Sequence, residues 1–552
     1  MEAAKILECS REGLSGVRGR GTFRWWRREL ERPSPAGVRC GKARKTPFYN
    51  RCGAGKWAAA GRESEAAVVP LGPAGQHNLR GGKGRCFVHA RVERPGSVSA
   101  GVTARSTLAA VRGDRVRALQ HALYRAAKAD PDRRFHALFD KIHRRDVLDR
   151  AWEDVRRNRG AAGIDRVSLA DAEQYGVSRL LSELAVELRE GRYRPLPARR
   201  VFIPKPGTDE QRPLSIPAVR DRIVQAAAKI VLEPVFEAGF LPCSFGFRPG
   251  RSAHDALQVL IDESWRGRRW VVETDIANCF SAIPHDKLMQ AIGERVCDRA
   301  VLALIRTLLR AGVMEDGSLR RSASGTPQGG PLSPLLCNAY LHRLDRAWQA
   351  GEHGVLVRYV DDAVVMCETR EQAEAALARL TGLLAGLGLE PKAAKTRIVQ
   401  LAEGNPGFDF LGFHHRLVRG RTPKSAHLTF LARWPSRKAA QHARDRIREI
   451  TGRERLLVPA EVIVMELNRF LRGWAGYFRY GNSARVLGQV GNYALWRLGL
   501  WLSKRGNRRH GWRWGVTQVL LSPDHLGLIS LHRTVIPPRP FRDWRGKAEH
   551  RR

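Results

Sequence analysis

The stretch VLVRYVDDAVVM, residues 355–366, places two adjacent aspartates between two apolar runs. Short apolar runs favour buried strands, whereas neighbouring negative charges are seldom buried without a partner. Adjacent side chains on a straight strand point to opposite faces, so Asp361 and Asp362 can approach one site only if the chain turns there. The stretch therefore predicts a tight hairpin, and two interpretations remain open: an acidic loop, or a hairpin that holds a metal ion.

A third carboxylate closes a separate predicted strand. The segment RRWVVETDIANCF, residues 268–280, predicts a strand that ends at Asp275. Mg²⁺ prefers oxygen ligands and keeps positions open for phosphate, so carboxylates gathered at strand ends suit a pair of Mg²⁺ ions. Two such ions activate a hydroxyl nucleophile and stabilise a pyrophosphate leaving group. We therefore predict Asp275, Asp361 and Asp362 as catalytic residues and metal ligands.

The charge balance makes nucleic acid the expected partner. The 552 residues include 96 Lys and Arg against 55 Asp and Glu, a net charge of +41. Such an excess destabilises a compact chain by self-repulsion unless a polyanion binds, and arginine suits bidentate contact with phosphate. Any single basic run is more often a solvated face, but that interpretation is weaker for the total. The abundance of Arg, Ala and Gly points to a GC-rich bacterial source.

Targeting and cysteine patterns exclude several classes of protein. No run of about 18 apolar residues predicts a membrane span, and the N-terminus lacks the pattern of a secretion signal. None of the nine cysteines forms a C-x-x-C pair, so neither a zinc site nor a disulfide framework is predicted. We therefore expect a cytoplasmic protein with no membrane partner.

The chain divides by composition into four regions. Residues 1–105 carry Arg, Gly and Ala without periodicity, and residues 1–100 contain 20 Lys or Arg against 8 Glu. This composition is typical of disorder. The extension is either a basic RNA-binding arm or, as we favour, a dispensable or over-long start. A mixed region is expected over 106–415, a helical region over 416–510, and a basic segment able to bind DNA over 511–552.

Helix and strand patterns follow an irregular order in the second region. Amphipathic helices are predicted over 108–131, 136–158, 170–189 and 370–387. Two apolar runs around Pro-Gly-Thr-Asp in RRVFIPKPGTDEQRPLSIPA, residues 199–218, predict a hairpin. Because strands and helices do not alternate regularly, we predict an α+β fold rather than a doubly wound α/β fold. The region that follows is predicted to be almost entirely helical.

Several residues besides the aspartates are candidates for nucleotide contact. Lys205 and Arg212 lie on opposite arms of the predicted hairpin, where they either clamp a triphosphate or are merely exposed basic residues. Gln328 lies in SASGTPQGGPLSPLLCNAY, residues 322–340, a bend that either presents it to a nucleotide or is only a rigid connection. Phe280 either lies under a sugar or packs in the core.

The motifs together resemble those of group II intron-encoded reverse transcriptase/maturases. The resemblance runs from about residue 118 to 515. Within it, the family's motifs occur in the family's order, as IPKPGTDEQRPLSIPAVRDRIVQ, LEPVFE, SFGFRPGRSAHDAL, VVETDIANCF, SGTPQGGPLSPLL, YVDD and GFDFLGF. Upstream, KIHRRDVLDRAWEDVRRNRGAAGIDRVS is similar to the family's first reverse transcriptase block. Downstream, LNRFLRGWAGYFRYG and YALWRLGLWLSKR resemble its thumb or maturase region.

The resemblance implies a right-hand polymerase: fingers and a palm with an antiparallel sheet, then an all-helical thumb or maturase domain and a basic tail. It implies that the three aspartates hold two Mg²⁺ ions in the palm. Lys205, Arg212, Gln328 and Lys395 match positions near the incoming nucleotide, and Phe280 matches the aromatic that selects dNTP over rNTP. The residues that match the primer grip are Gly407, Phe408, Phe410, Leu411 and Gly412.

The maturase region implies binding to intron RNA, which is recognised through its shape, phosphates and stacked bases. Candidate contacts are Tyr477, Arg479, Arg497, Lys504 and Arg505, whereas Trp474 and Phe478 are better explained as helix core. Implied partners are group II intron RNA, a DNA target or primer, and dNTPs; a dimer is one possible oligomeric state. No Cys pairs or H-N-H-like cluster follow residue 515, so an endonuclease-lacking type is expected.

Three alternatives to an RNA-directed DNA polymerase with maturase activity remain. A maturase that no longer polymerises is disfavoured by the intact aspartates, Lys205, Arg212 and PQGGPLSP. A domesticated reverse transcriptase of the diversity-generating or defence-associated kind is disfavoured by the maturase-like segment 435–515. An RNA-directed RNA polymerase is disfavoured by Phe280, if that ring excludes the 2′-hydroxyl.

Overall fold

The computed structural model describes residues 114–204, 211–320, 324–420, 423, 426–505, 512–522 and 525–536. The predicted extension 1–105, the candidate Lys205 and the end of the predicted C-terminal segment, from 537 to 552, lie outside the described residues. All the described residues belong to one of the two units into which the chain divides, residues 67–552.

Helices and strands follow one another in a mixed order, which confirms the predicted α+β class. The α-helices are α1 (Arg115–Ala129), α2 (Phe139–Ile142), α3 (Arg145–Arg157), α4 (Leu169–Tyr175), α5 (Val177–Arg189), α6 (Val219–Glu237), α7 (Ala253–Trp265), α8 (Cys279–Ala282), α9 (His285–Gly293), α10 (Arg299–Arg310), α11 (Ser333–Ala347), α12 (Ala350–His353), α13 (Arg370–Gly386), α14 (Arg437–Ile450), α15 (Ala460–Phe478), α16 (Ala484–Arg505) and α17 (Trp512–Leu521). The strands are β1 (Ala198–Pro204), β2 (Gln211–Ile216), β3 (Trp270–Asp275), β4 (Val313–Glu315), β5 (Ser318–Arg320), β6 (Val355–Tyr359), β7 (Asp362–Cys367), β8 (Arg397–Gln400), β9 (Phe408–Phe410), β10 (Phe413–Arg419) and β11 (Thr429–Pro435).

An antiparallel sheet of order β6-β7-β3-β8 carries the predicted aspartates. Its strands are apolar on both faces, so alternate residues enter two different cores. Val272 and Val365 join the core to which α6, α9, α11 and α13 contribute. Val271 and Val364 join the core formed with α14–α16. A sheet covered on both faces explains why its sequence is a continuous apolar run, as the opening stretch predicted.

The predicted hairpin at 199–218 is present as β1 and β2, which pair antiparallel from Arg199 and Ile216 to Pro204 and Gln211. Its turn, residues 205–210, lies outside the described residues. Strands β4 and β5 extend the same sheet in the order β2-β1-β4-β5. The single helix predicted over 170–189 is instead two helices, because Gly176 between them has φ +101°, outside the helical range.

The predicted all-helical region from 416 requires a correction. It begins with the end of β10 and with β11, which pair antiparallel, and the helical part starts at Arg437. Within β10, buried residues alternate with half-buried ones, the period of a strand that has only one face in the core. The letters FHHRLVR do not alternate between apolar and polar residues, so the sequence itself carries no period-2 signal for this strand. The helices α14, α15 and α16 confirm the rest of the prediction.

Strands β9 and β10 are joined by a two-residue turn, Leu411–Gly412. Both residues have positive φ, +49° and +79°, the pattern of a type I′ turn, which matches the twist of the strands. Just before β9, Gly407 is required because a Cβ there would lie 2.0 Å from the backbone oxygen of His415. Two glycines thus fix the segment that was predicted as the primer grip.

The five described cysteines, Cys243, Cys279, Cys297, Cys337 and Cys367, are free thiols. In the described part of the chain, no helix combines the length and apolar character that a membrane span requires.

His415 is a histidine that the fold keeps neutral. Its imidazole is fully buried on β10, and neither ring nitrogen has a hydrogen-bond partner within the described residues. Burial, and then the charges of Arg433 and His414, hold the pKa of His415 well below its ordinary value. Arg433 on β11 is in register with His415, and the ring centroid of Phe408 lies 5.0 Å from that of His415.

We expect His415 to make the fold sensitive to acid. Below the unfolded-state pKa of histidine, about 6.5, the unfolded chain binds a proton that the folded ring does not, so each pH unit costs about 1.4 kcal/mol of unfolding free energy. The urea midpoint of the intact protein should therefore fall more steeply than that of His415→Leu from about pH 6.5 to about pH 5. Parallel curves for the two proteins would contradict this assignment.

Candidate active site

The YVDD segment forms the tight hairpin that the sequence predicts. Tyr359 at the end of β6 pairs with Asp362 at the start of β7, so Val360 and Asp361 are the two turn residues. Val360 has φ +62°, a conformation that costs a β-branched residue roughly 1–3 kcal/mol. Because Asp361 lies in the turn, its side chain does not follow the alternating directions of a straight strand. Two consecutive carboxylates can therefore lie at one edge of the sheet.

The third predicted carboxylate reaches the same edge through strand pairing. Asp275, the last residue of β3, is in register with Asp362 on β7. Beyond that pair, the backbone N–H of Ile276 donates to the carbonyl of Asp361 over 3.0 Å. Asp275, Asp361 and Asp362 therefore share one corner of the sheet, as predicted.

This carboxylate corner, formed by Asp275, Asp361 and Asp362, concentrates negative charge at a partly buried site. Burial, and then the charge of Asp275, raise the pKa of Asp361, although Lys395 and Arg212 oppose the rise. Burial, and then the charges of Asp361 and Asp275, also raise the pKa of Asp362. The carboxylates thus destabilise one another as anions, and an added cation would relieve that repulsion.

Lys395 supplies one such positive charge. Its ammonium donates a hydrogen bond of 2.6 Å to the Oδ2 atom of Asp275. Partial burial opposes its charge, but this bond and the charges of Asp275, Asp362 and Asp361 outweigh burial and raise the pKa of Lys395. Lys395 therefore stays protonated at neutral pH, within reach of the carboxylates.

Within the described ranges, no group of three or more His, Cys, Asp or Glu side chains is arranged as a preformed metal cage. The donor set at the corner nevertheless fits a divalent cation, because carboxylate oxygens are the ligands that Mg²⁺ prefers. Burial, and then the repulsion among the carboxylates, raise the pKa of Asp361 and of Asp362, and a bound cation would offset that repulsion. Asp275 at present directs one oxygen to Lys395 instead.

The loop before α11 joins the hairpin β1–β2 to the carboxylate corner. At one end, the N–H of Thr326 donates to the carbonyl of Phe280 over 2.6 Å. At the other end, the N–H of Ser215 on β2 donates to the carbonyl of Gln328 over 2.6 Å. Gly329 has φ +121°, and a Cβ there would lie 2.5 Å from the carbonyl oxygen of Ser215. The bend is therefore a packed bridge between two predicted nucleotide-binding elements.

The predicted nucleotide contacts surround this bridge to different degrees. Arg212 is exposed on β2, and its charge reaches Asp361. Phe280 on α8 is half-buried and packs against the core, so part of its ring remains accessible. Gln328 is half-buried in the bend. Lys205 lies outside the described residues, and its role stays a prediction.

Comparison with known proteins identifies the family to which this chain belongs. Residues 203–415 match the family described as reverse transcriptase (RNA-dependent DNA polymerase), and residues 440–520 match the group II intron, maturase-specific domain. Protein YkfC of Escherichia coli (strain K12) is 34% identical over 368 residues, which cover 59% of this chain and 94% of YkfC. The chain belongs to the family of group II intron-encoded reverse transcriptase/maturases.

A second relative is the group II intron-encoded protein LtrA of Lactococcus lactis subsp. cremoris. It is 38% identical over 215 residues, which cover 39% of this chain and 35% of LtrA. A protein described as an uncharacterized 91 kDa protein in the cob intron of Schizosaccharomyces pombe is 39% identical over 166 residues, 30% of this chain and 20% of that protein. As a group II intron reverse transcriptase/maturase, the chain is an RNA-directed DNA polymerase with a maturase role in intron splicing and mobility.

The maturase-specific region supports the polymerase region directly. Tyr477 on α15 donates its hydroxyl to the carbonyl of Leu411 over 2.9 Å, and a Cβ on Gly412 would lie 3.3 Å from the ring of Phe478. Both contacts hold the turn that the family resemblance assigns to the primer grip. Trp474 and Phe478 are buried, as predicted.

The other residues predicted to contact RNA differ in whether their charged groups already form hydrogen bonds within the fold. Arg497 donates to the hydroxyl and to the carbonyl of Thr451, both over 3.0 Å, so its guanidinium serves the fold. Arg479 is exposed beside Tyr480, and Lys504 is exposed at the end of α16. Arg505, also exposed there, donates to the carbonyl of Val458 over 3.2 Å. RNA contact by all of these residues, Tyr477 included, stays a prediction.

Sequence reasoning overlooked the buried ion pair next to the YVDD hairpin. Arg358 on β6 and Asp345 on α11 are both fully buried and form two hydrogen bonds, of 2.8 and 2.5 Å. Arg358 also donates to the hydroxyl of Ser244 over 2.9 Å and to the carbonyl of Val360 over 3.0 Å. The signal was present in VLVRYVDD, because an arginine inside an apolar strand requires a buried partner.

Proposed function

We propose that the carboxylate corner adds dNTPs to a DNA primer on an RNA template with the help of two Mg²⁺ ions. We further propose that the maturase region binds group II intron RNA during splicing. The observation that supports the polymerase site is the register of Asp275 against Asp362, with Asp361 in the adjoining turn. When bound, the two ions would activate the primer 3′-hydroxyl and stabilise the pyrophosphate.

The elements divide into the parts of a right-hand polymerase under this proposal. The sheet β6-β7-β3-β8 is the palm, the helices α1–α6 with the hairpin β1–β2 are the fingers, and α14–α16 are the thumb. The packed bridge at Thr326 and Gln328 supports this division, because it links the hairpin to the residues that follow β3.

The side chains act on the substrate in distinct ways. Asp275, Asp361 and Asp362 hold the cations, and Arg212 binds the triphosphate as a guanidinium fork. Lys395 keeps a proton next to the carboxylates and is therefore available to donate it to the leaving pyrophosphate. Phe280 lies at the base of the bridge, where its ring excludes a 2′-hydroxyl. The turn at Leu411–Gly412 guides the primer strand.

The test is extension of a DNA primer on an RNA template by the full chain, with splicing of the neighbouring intron RNA measured in parallel. We expect DNA synthesis that needs a divalent cation and stops when EDTA removes it, with splicing promoted by the same protein. A protein that promotes splicing but extends no primer under any divalent cation would be a maturase alone.

Phe280→Ala should weaken the preference for dNTP over rNTP. Removing the ring opens space for one hydroxyl, and steric discrimination of that size is about tenfold or more. The measurement is the ratio of kcat/KM for a dNTP to that for the matching rNTP, with Phe280→Tyr as a control that keeps the ring. If rNTP rejection is unchanged in Phe280→Ala, the ring packs in the core without selecting the sugar.

A further inference from the structure

The segment SFGFRPGRS, residues 244–252, runs beside the catalytic hairpin although no role has yet been assigned to it. Ser244 forms a parallel bridge with Arg358 on β6. The N–H of Phe245 donates to the carbonyl of Arg358 over 2.9 Å, and the N–H of Arg358 donates to the carbonyl of Cys243 over 2.8 Å. The segment therefore extends along the edge of the palm sheet toward the Val360–Asp361 turn.

Gly246 presses the segment against that turn. A Cβ on Gly246 would lie 2.4 Å from Cγ2 of Val360, so only glycine permits the approach. Its carbonyl accepts a hydrogen bond of 2.8 Å from the side-chain amide of Asn338. Since Ser244 faces Arg358 across a parallel bridge, Phe247 lies as many residues beyond that bridge as Asp361 does.

Phe247 is an exposed aromatic residue in a strained conformation. The residue is 57% exposed, and its φ is +54°. This left-handed region disfavours bulky residues and is the place where glycine or asparagine is usually found. Strained residues persist where the surrounding structure holds them, and they cluster at functional sites.

Arg248, the residue after Phe247, fixes the backbone at this position. Arg248 is buried and pairs with the carboxylate of Glu237, with a shortest distance of 2.7 Å. It also donates to the carbonyls of Leu241 and Ser244, over 2.6 and 2.7 Å. Phe247 is thus fixed between Gly246 and Arg248, and its exposed ring belongs to the residue next to the glycine that contacts Val360.

We propose that Phe247 is a stacking site for a nucleobase of the primer–template at the catalytic hairpin. An aromatic ring stacks on any base, so such a site suits an enzyme that copies all sequences. A ring already fixed by the fold loses little entropy on binding. The inference rests on the proposed function, because it takes the nucleic acid to lie at the carboxylate corner.

The first test is the affinity of the full chain for an RNA template annealed to a DNA primer at fixed salt. Phe247→Ala should weaken binding by about tenfold, the effect of losing one base–aromatic stack, and Phe247→Trp should restore it. The control is Trp265→Ala, since Trp265 is an exposed aromatic at the end of α7, which precedes the start of β3, the end of that strand opposite Asp275. Phe247→Gly separates binding from folding: its urea midpoint should not fall, because glycine relieves the strain, while binding weakens.

The second test places one abasic nucleotide at successive positions of the template or of the primer. At the stacked position, removing the base should weaken binding to the intact protein but not to Phe247→Ala. The strand that carries this position identifies the source of the base. Equal affinities of the intact protein and Phe247→Ala, or additive losses at every position, would overturn the proposal. Because these are binding measurements, primer extension by the intact protein tests the proposed function separately.

Discussion

Asp361→Asn should slow RNA-templated DNA synthesis by about three orders of magnitude or more. Under the proposed function, a cation held at this corner would supply several kcal/mol of stabilisation to the charge that develops during phosphoryl transfer, and each 1.4 kcal/mol is about a factor of ten in rate. Asparagine keeps the shape of the turn residue but removes the negative charge that would hold the cation. The measurement is the single-turnover rate of primer extension at saturating dNTP.

The same substitution should leave the free energy of unfolding unchanged or higher. Burial and the charge of Asp275 both raise the pKa of Asp361, so the folded protein holds this carboxylate at an electrostatic cost that an amide lacks. Splicing of the intron RNA should also persist, because the maturase-specific region is untouched. Asp140→Asn, at an exposed carboxylate on α2, is the control for a charge change. A lower urea midpoint together with a matching loss of activity would show that Asp361 is structural.

The corner that joins the three aspartates could be predicted from the sequence because its parts follow local rules. Short apolar runs placed β3, β6 and β7, and the paired aspartates required a turn. The resemblance then indicated which distant segments act together. Local rules could not show that Asp275 is in register with Asp362, or that Lys395 reaches Asp275 over 2.6 Å. Both depend on how separate strands pair, which periodicity does not determine.

Residues with two potential roles were the hardest to interpret from sequence. Tyr477 and Arg497 have the chemistry of RNA contacts, yet their polar groups bind Leu411 and Thr451 within the fold. Composition cannot distinguish a donor that faces solvent from one that faces a neighbouring carbonyl. Phe247 is the converse case: its motif was visible, but its exposure and positive φ become evident only in three dimensions.

Arg358→Met should destabilise the chain by about 3–5 kcal/mol. The substitution leaves the carboxylate of Asp345 fully buried without its partner, and an uncompensated buried charge carries a penalty of that order. Urea-induced unfolding measures the change. The matched control is Arg455→Met, which breaks a partly exposed pair with Glu466 and should cost less than about 1 kcal/mol.

A second substitution separates stability from positioning. Arg358→Met combined with Asp345→Leu removes both charges, so most of the lost stability should return, as it does when apolar residues replace a buried ion pair. In this double variant, the carbonyl of Val360 still lacks the hydrogen bond of 3.0 Å that Arg358 donates to it. That bond supports the strained turn. The kcat of primer extension should therefore remain low, whereas the affinity for primer–template should change little. Full recovery of both stability and kcat would mean that the ion pair only fills the core, and that strand pairing alone positions Asp361.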